Sequence, residues 1–238
     1  MATTIDLDSF LAERTRYLVD AAARRASRVD FGAARMHYET TDAWASLSGC
    51  REWRGCIRMS ALDANPAAPE VEVGVVQFLI LQAGYESPAE TLPLFGDRAA
   101  SFAELFDAEW LRPELDESDD FTGGMPISAV LVVLDAVVDD RIDTDSGLRA
   151  WAVAETIHTM LPTTAGLVLM PALFTAAKPK HRLVSSELLD ADWPRVGCVS
   201  VPGHPGFYGQ ATSYVYLEDA RDALAAVRER PVGIPLDR

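Results

Sequence analysis

The segment Arg141 to Ala150, RIDTDSGLRA, lies between a strongly apolar run and a helix-like stretch and combines small residues with acidic ones. Small residues between a strand and a helix are typical of loops whose backbone N–H groups bind phosphate. Asp143 and Asp145 carry the wrong charge for that ligand. Alternate carboxylates also begin calcium loops, although Ala154 stands where such a loop needs its twelfth-position Glu. A third interpretation is a plain helix start, with Asp143, Asp145 and Ser146 as caps that favour the helix dipole.

Three further groups of side chains have types suited to chemistry. Asp135 lies within the apolar run, where it could serve a cleft as a general base or pair with a neighbour. Glu155 and His158 are three residues apart on a predicted helix, a spacing that permits metal binding, proton relay or a structural hydrogen bond. The cluster KPKHR, Lys178 to Arg182, is basic and would suit either an anionic ligand or a surface loop.

The elements that must position these residues follow from apolar periodicity and from turn residues. Helices are predicted over Asp8–Arg28, 97–111, Leu148–Leu161, 185–193 and 218–230. Strands are predicted over 33–40, 52–62, Val71–Leu81, Ile127–Val138, 165–173 and 210–217. The Gly/Pro-rich PGHPGFYG, Pro202 to Gly209, is predicted as a loop. The polar RPELDESDDFTGG, Arg112 to Gly124, is predicted as a surface loop that contributes nothing to the core.

The order of these elements predicts the class of fold. A strand, a tight loop, a helix and another strand make a βαβ-type unit with parallel strands. We therefore expect an α/β fold with a mixed central sheet flanked by helices and with an N-terminal helix. No linker-like tract interrupts the chain, so we expect a single domain over residues 1–238.

Composition and charge exclude several classes of partner. The chain is 49% hydrophobic and 24% charged, with a net charge of -15 and a pI near 4.6. Such a surface repels nucleic acid and anionic lipid. Three cysteines without metal-ligand spacing, an N-terminus unlike a signal peptide and apolar runs too short to span a bilayer predict a cytoplasmic protein.

Residues Ile127 to Tyr216 resemble the GNAT (GCN5-related N-acetyltransferase) superfamily. VLVVLDAVV matches its long central strand, GLRAWAVAETIHTML the following helix, AGLVLMPA the next strand, and DWPRVGCVSV the end of a second helix. In this superfamily the loop before the first helix holds the pyrophosphate of acetyl-CoA. Aligned without a gap, Ile142 stands where Arg or Gln is usual, Asp145 at the first motif glycine and Gly147 at the second.

The resemblance implies acyl-CoA as cofactor and an amine of a small molecule or protein as acceptor. It places the cofactor against Val133, Leu134, Val137, Arg141, Asp145, Ser146, Gly147 and Leu148, and the catalytic roles on Asp135 and His181. The first expectation for the function is therefore an acyl-CoA-dependent N-acyltransferase; the second, as the alternative, is a GNAT-fold binding or regulatory module that has lost this chemistry or catalyses a different reaction. A carboxylate at position 145 favours the second, because two like charges about 4 Å apart repel by roughly 4 kcal/mol at an effective dielectric near 20. A homodimer is a further expectation.

Overall fold

The computed structural model describes residues 4–16, 27–41, 47–62, 69–119, 121–142, 147–172 and 193–236. These residues form an eight-stranded mixed sheet and a separate two-stranded one. The strands are β1 (Thr4–Asp6), β2 (Arg28–Phe31), β3 (Arg35–Thr40), β4 (Cys50–Met59), β5 (Glu70–Gln82), β6 (Ala129–Val138), β7 (Gly166–Pro171), β8 (Val199–Val201), β9 (His204–Ala211) and β10 (Val232–Pro235). The helices are α1 (Leu7–Arg16), α2 (Pro88–Thr91), α3 (Asp97–Ser101), α4 (Pro113–Asp116), α5 (Leu148–Met160) and α6 (Val215–Leu224).

The large sheet has the order β3-β4-β5-β6-β7-β9-β8, with β1 beside the start of β5. Its neighbours are antiparallel except for two parallel pairs, β6 with β7 and β1 with β5. The α/β class, the mixed central sheet and the N-terminal helix predicted from the sequence are confirmed. Helix α5 connects β6 to the parallel strand β7, as the βαβ pattern predicts.

Both faces of the sheet are packed against other elements, which explains why β6 lacks polar alternation. On one face α1, α5 and α6 cover Phe78, Leu131, Val133 and Val168. On the other face the segment between β5 and β6, which contains α2 to α4, covers Leu79, Val130 and Val132.

Several elements differ from the sequence predictions. The N-terminal helix does not reach Arg28, which begins β2. The helix expected over 97–111 is broken, because α3 passes into a 3-10 turn over Phe102–Leu105. The late strand expected over 210–217 ends at Ala211, and Val215 begins α6. The predicted loop Pro202 to Gly209 instead contains most of strand β9.

The acidic segment 112–124 contributes to the core, contrary to the sequence prediction. It includes helix α4, and its Leu115, Phe121 and Thr122 are buried, so the prediction that it contributes nothing to the core is wrong. The Thr122 hydroxyl donates to main-chain carbonyls, among them that of Asp116 at 2.8 Å. Arg112, Glu114, Glu117 and Asp119 are exposed, whereas Asp116 is half-buried, and burial raises the pKa of its carboxyl.

Among the described residues, no helix has the length and apolar character needed to cross a membrane.

Candidate functional site

The parallel strands β6 and β7 are hydrogen-bonded to each other over only the first part of their length. Ala129–Val132 pair with Gly166–Leu169, after which β6 continues to Val138 beside β5 alone. Strand β7 continues to Pro171 beside β9 alone. The two strands are therefore not hydrogen-bonded to each other at their carboxyl ends. Helix α5 begins at Leu148, ten residues after β6 ends.

The strand residues expected to contact a cofactor lie in this unpaired half of β6, but they face different ways. Val133 is fully buried under the α5 face, and Leu134 is buried in the opposite core. Val137 is exposed. The pairing with β5 shifts by one residue between Asp135 and Val133, so a β-bulge falls at Leu134. A bulge redirects neighbouring side chains, and here it accompanies the one carboxylate of the strand.

Asp135 is held in an ion pair. The Nη1 atom of Arg98, in α3, lies 2.8 Å from its Oδ2 and also donates to the Leu134 carbonyl at 3.1 Å. Asp135 Oδ1 accepts the N–H of Ala136 at 3.0 Å. Both side chains are mostly covered, at 30% and 21% exposure. The carboxylate expected as a general base is thus neutralised by a neighbouring cation.

Arg141 is likewise engaged within the protein. Its Nε and Nη2 donate to the two carboxylate oxygens of Asp139 at 2.8 and 2.6 Å, and Nη2 also reaches Asp8 Oδ1 at 2.7 Å. Burial raises the pKa of Asp139, but the Arg141 hydrogen bonds outweigh it and leave that pKa below its ordinary value. The same bonds raise the pKa of Arg141. The next residue, Ile142, is buried in the core.

Gly147 and Leu148 form the start of α5. Gly147 has a φ of +69°, in the left-handed region that favours glycine, and Leu148 is buried. The guanidinium of Arg195 lies against Gly147: its Cζ is 2.9 Å from where a Cβ would stand. Nothing in the sequence pattern singled out Arg195, because 48 residues separate it from the glycine.

Trp193 is the other residue at this end of the sheet whose position the sequence did not predict. Its side chain is fully buried, and its indole N–H donates to the carbonyl of Pro171, the last residue of β7, at 3.1 Å. The end of β7 is therefore closed by a large aromatic ring at the level where β6 has already separated.

Glu155 and His158 do not act as a pair. Glu155 Oε2 lies 3.3 Å from Arg221 Nε in α6, whereas His158 is exposed and lines a separate cavity of about 220 Å³ between α5 and α6. The remaining predicted site residues, Asp145, Ser146, His181 and the basic cluster 178–182, lie outside the described residues.

The three cysteines are free, buried and poorly suited to reactivity. Burial raises the pKa of Cys50 to about 12 and that of Cys56 to about 11, and it also raises the pKa of Cys198. In the part of the chain that the structure describes, no group of His, Cys, Asp and Glu side chains is arranged to hold a metal ion.

Comparison of the chain with protein-family models, with curated proteins and with solved structures finds no match.

Proposed function

We propose that this chain is a binding protein built on a GNAT-like sheet, and that it does not transfer acyl groups. The observation that carries the proposal is the engagement of both charged residues that acyl transfer would recruit here. Arg141 is bonded to Asp139 and Asp8, and Asp135 to Arg98. Arg98 occupies the Oδ2 of Asp135, and a guanidinium that is paired with two carboxylates is a weak anion ligand.

The charge of the chain indicates the class of partner. Residues 86–120 contain 11 acidic and two basic residues, a net charge of -9 out of -15 for the whole chain. This segment forms the helical layer on one face of the sheet, and its carboxylates are mostly exposed. Such a field attracts a positively charged protein and accelerates its association.

Acyl transfer is the second candidate, and two observations favour it. Strands β6 and β7 separate as they would around a cofactor, and Gly147 opens α5 with a guanidinium beside it. A helix N-terminus with a nearby cation suits pyrophosphate.

Calorimetric titration with acetyl-CoA separates the two candidates. The binding proposal expects no heat of binding at about 1 mM ligand, a concentration that detects dissociation constants near 1 mM. Asp145→Gly restores the family's glycine, so it is the matched variant. Saturable binding by the unmodified chain, strengthened in Asp145→Gly, would favour the transferase and refute the binding proposal.

The partner class is tested with a lysine-rich peptide, and a glutamate-rich peptide of equal length serves as the control. We expect salt-dependent binding of the basic peptide only. Glu109→Lys, Glu114→Lys and Glu117→Lys together should weaken it. The same charge change in α6, at Glu218, Asp219 and Asp222, should have a smaller effect. Equal losses in the two triple variants would show that net charge alone, and not the helical layer, attracts the peptide.

A further inference from the structure

Strand β3 lies at the edge of the large sheet. Its residues Arg35–Thr40 pair with β4 in six consecutive steps without a bulge. Within the described ranges, no strand pairs with its other side. An unpaired edge is a template for another strand, and proteins that stay monomeric protect such edges with Pro, charged side chains such as Lys, bulges or very short strands. RMHYET contains no Pro or Lys, and its two charged residues, Arg35 and Glu39, have opposite signs and can face each other across two copies.

The opposite edge of the sheet is protected. Strand β8 has only three residues, and its pairing with β9 is irregular between Ser200 and Val201. The difference between the two edges points to β3 as the place where a second strand could add.

The sequence of β3 is complementary to itself. We propose that two copies of this chain associate by antiparallel pairing of β3 with β3, around a two-fold axis through His37. In that register Arg35 lies opposite Glu39 of the second copy, and Met36 lies opposite its Tyr38. The two-fold axis repeats each of these contacts. Opposite charges and aromatic or apolar side chains in directly facing positions are the pairs that stabilise antiparallel strands.

The side chains of β3 are distributed as this pairing requires. Arg35 and Glu39 are exposed, at 75% and 46%, and their partners within the chain leave them accessible. Arg35 lies 3.7 Å from Glu70, a long ion pair, and Glu39 lies 2.9 Å from Arg54. A second strand would join its own charges to this existing row on the same face of the sheet.

The other face of β3 offers an apolar contribution. Met36 and Tyr38 are half-buried against the core, and the Tyr38 ring meets Phe78 edge to face at 6.3 Å. Beside them is an open groove of about 520 Å³, which is lined by Trp151 of α5 and also by the charged residues Glu155, Arg228 and Glu229. Met36 and Tyr38 of the second copy would extend the apolar row of β3 across the axis, beside this groove.

Sedimentation velocity of the full chain between about 1 µM and about 1 mM tests the proposal, since interfaces below roughly 1,200 Å² associate weakly. We expect a concentration-dependent dimer. Arg35→Glu and Glu39→Arg should each be monomeric. In a dimer of either variant, residues 35 and 39 of the two copies would face each other with the same charge, at both of the symmetry-related positions. An equimolar mixture of the two variants should form a dimer, because every facing pair then has opposite charges.

Arg112→Glu makes the same charge change as Arg35→Glu in the helical layer and should leave the dimer intact. Circular dichroism verifies the fold of each variant. Should Glu39→Arg unfold because of the nearby Arg54, Arg35→Gln replaces it and should weaken the dimer about fivefold. Two results would overturn the proposal. One is a chain that stays monomeric up to about 1 mM; the other is a dimer in which both β3 variants associate as strongly as the control Arg112→Glu.

Discussion

Replacement of Arg141 by Gln distinguishes a structural cation from a cofactor ligand. The side chain makes a two-bond contact with Asp139, and both groups are about three-quarters covered, at 27% and 25% exposure. Hydrogen bonds to charged groups contribute about 1.5–3 kcal/mol where solvent is excluded, and this partly exposed pair belongs at the lower end of that range. The ion pair between Arg141 and Asp8 contributes little to stability, because Asp8 is 78% exposed. We expect Arg141→Gln to lower the free energy of unfolding by about 2 kcal/mol at pH 7, or the Tm by roughly 4–8 °C.

The pH dependence of this loss has a definite sign. The pKa of Asp139 is lower in the folded chain than its ordinary value, and Arg141 is the cause that lowers it. The pair therefore stabilises the fold above the unfolded pKa of Asp, about 3.9, and the stabilisation is lost as the pH falls through the lower folded value. The difference between the unmodified chain and Arg141→Gln should be full at pH 7 and should shrink steadily below pH 4.

Urea denaturation of both proteins at pH 7 and near pH 3 measures this difference, with Arg112→Gln as the control. Arg112 forms an exposed ion pair at 3.7 Å, so its loss should cost less than about 0.5 kcal/mol. The reasoning fails if Arg141→Gln costs no more than this control, or if its cost is equal at both pH values. A variant that keeps full stability but loses acetyl-CoA binding would instead place Arg141 in a cofactor site.

Three further changes test the surroundings of α5. Gly147→Ala should destabilise the fold by about 1–2 kcal/mol, since the left-handed φ is strained for alanine and Arg195 must move; thermal unfolding measures it. Trp193→Phe should cost about 2 kcal/mol in urea denaturation, because it deprives the Pro171 carbonyl of its donor and leaves space in the core. Burial raises the pKa of Tyr38, so above about pH 10 this residue ionises more readily in the unfolded chain than in the folded one, and the fold loses stability. The stability of Tyr38→Phe relative to the unmodified chain should therefore be higher above about pH 10 than at pH 7, as measured by urea denaturation.

The elements that depend on local pattern were predictable from the sequence. The apolar β-branched run that gives β5 and the three- and four-residue spacing that gives α5 each appear in the fold with boundaries close to those expected. Burial on both faces also follows from the missing alternation in β6.

Strand β9 shows why composition alone misled. Gly and Pro are typical of loops, yet Gly209 is required inside this strand, because a Cβ there would stand 2.6 Å from the Val168 carbonyl oxygen. The glycine permits close approach of two strands, which is a property of the tertiary structure. No local signal distinguishes such a glycine from one in a turn.

The charged contacts at the candidate site depend even more on the tertiary structure. Asp135 and Arg98 are 37 residues apart in sequence, and Arg141 and Asp8 are 133 apart. The sequence identified Asp135 and Arg141 as residues of interest but gave no means of finding their partners. Those partners change the interpretation, since an unpaired aspartate suggests a base and a paired one a structural ion pair.

The engaged charges set a quantitative requirement for any acyl-CoA site here. For Arg141 to bind pyrophosphate, it must give up its bonds to Asp139, whose carboxylate would then lie partly buried without a cation. The loss of the Arg141–Asp139 bonds would cost about 2 kcal/mol, which reduces the affinity for acyl-CoA roughly 30-fold. Repulsion from nearby carboxylates would reduce it further. Strands β6 and β7 diverge at their carboxyl ends, but Trp193 is buried against the end of β7, and the carboxylates paired with Arg141 oppose an anionic ligand. Asp139 and Asp8 oppose acyl-CoA at Arg141, and a different set of carboxylates, those of the helical layer over residues 86–120, favours a basic partner, so we propose binding and not acyl transfer.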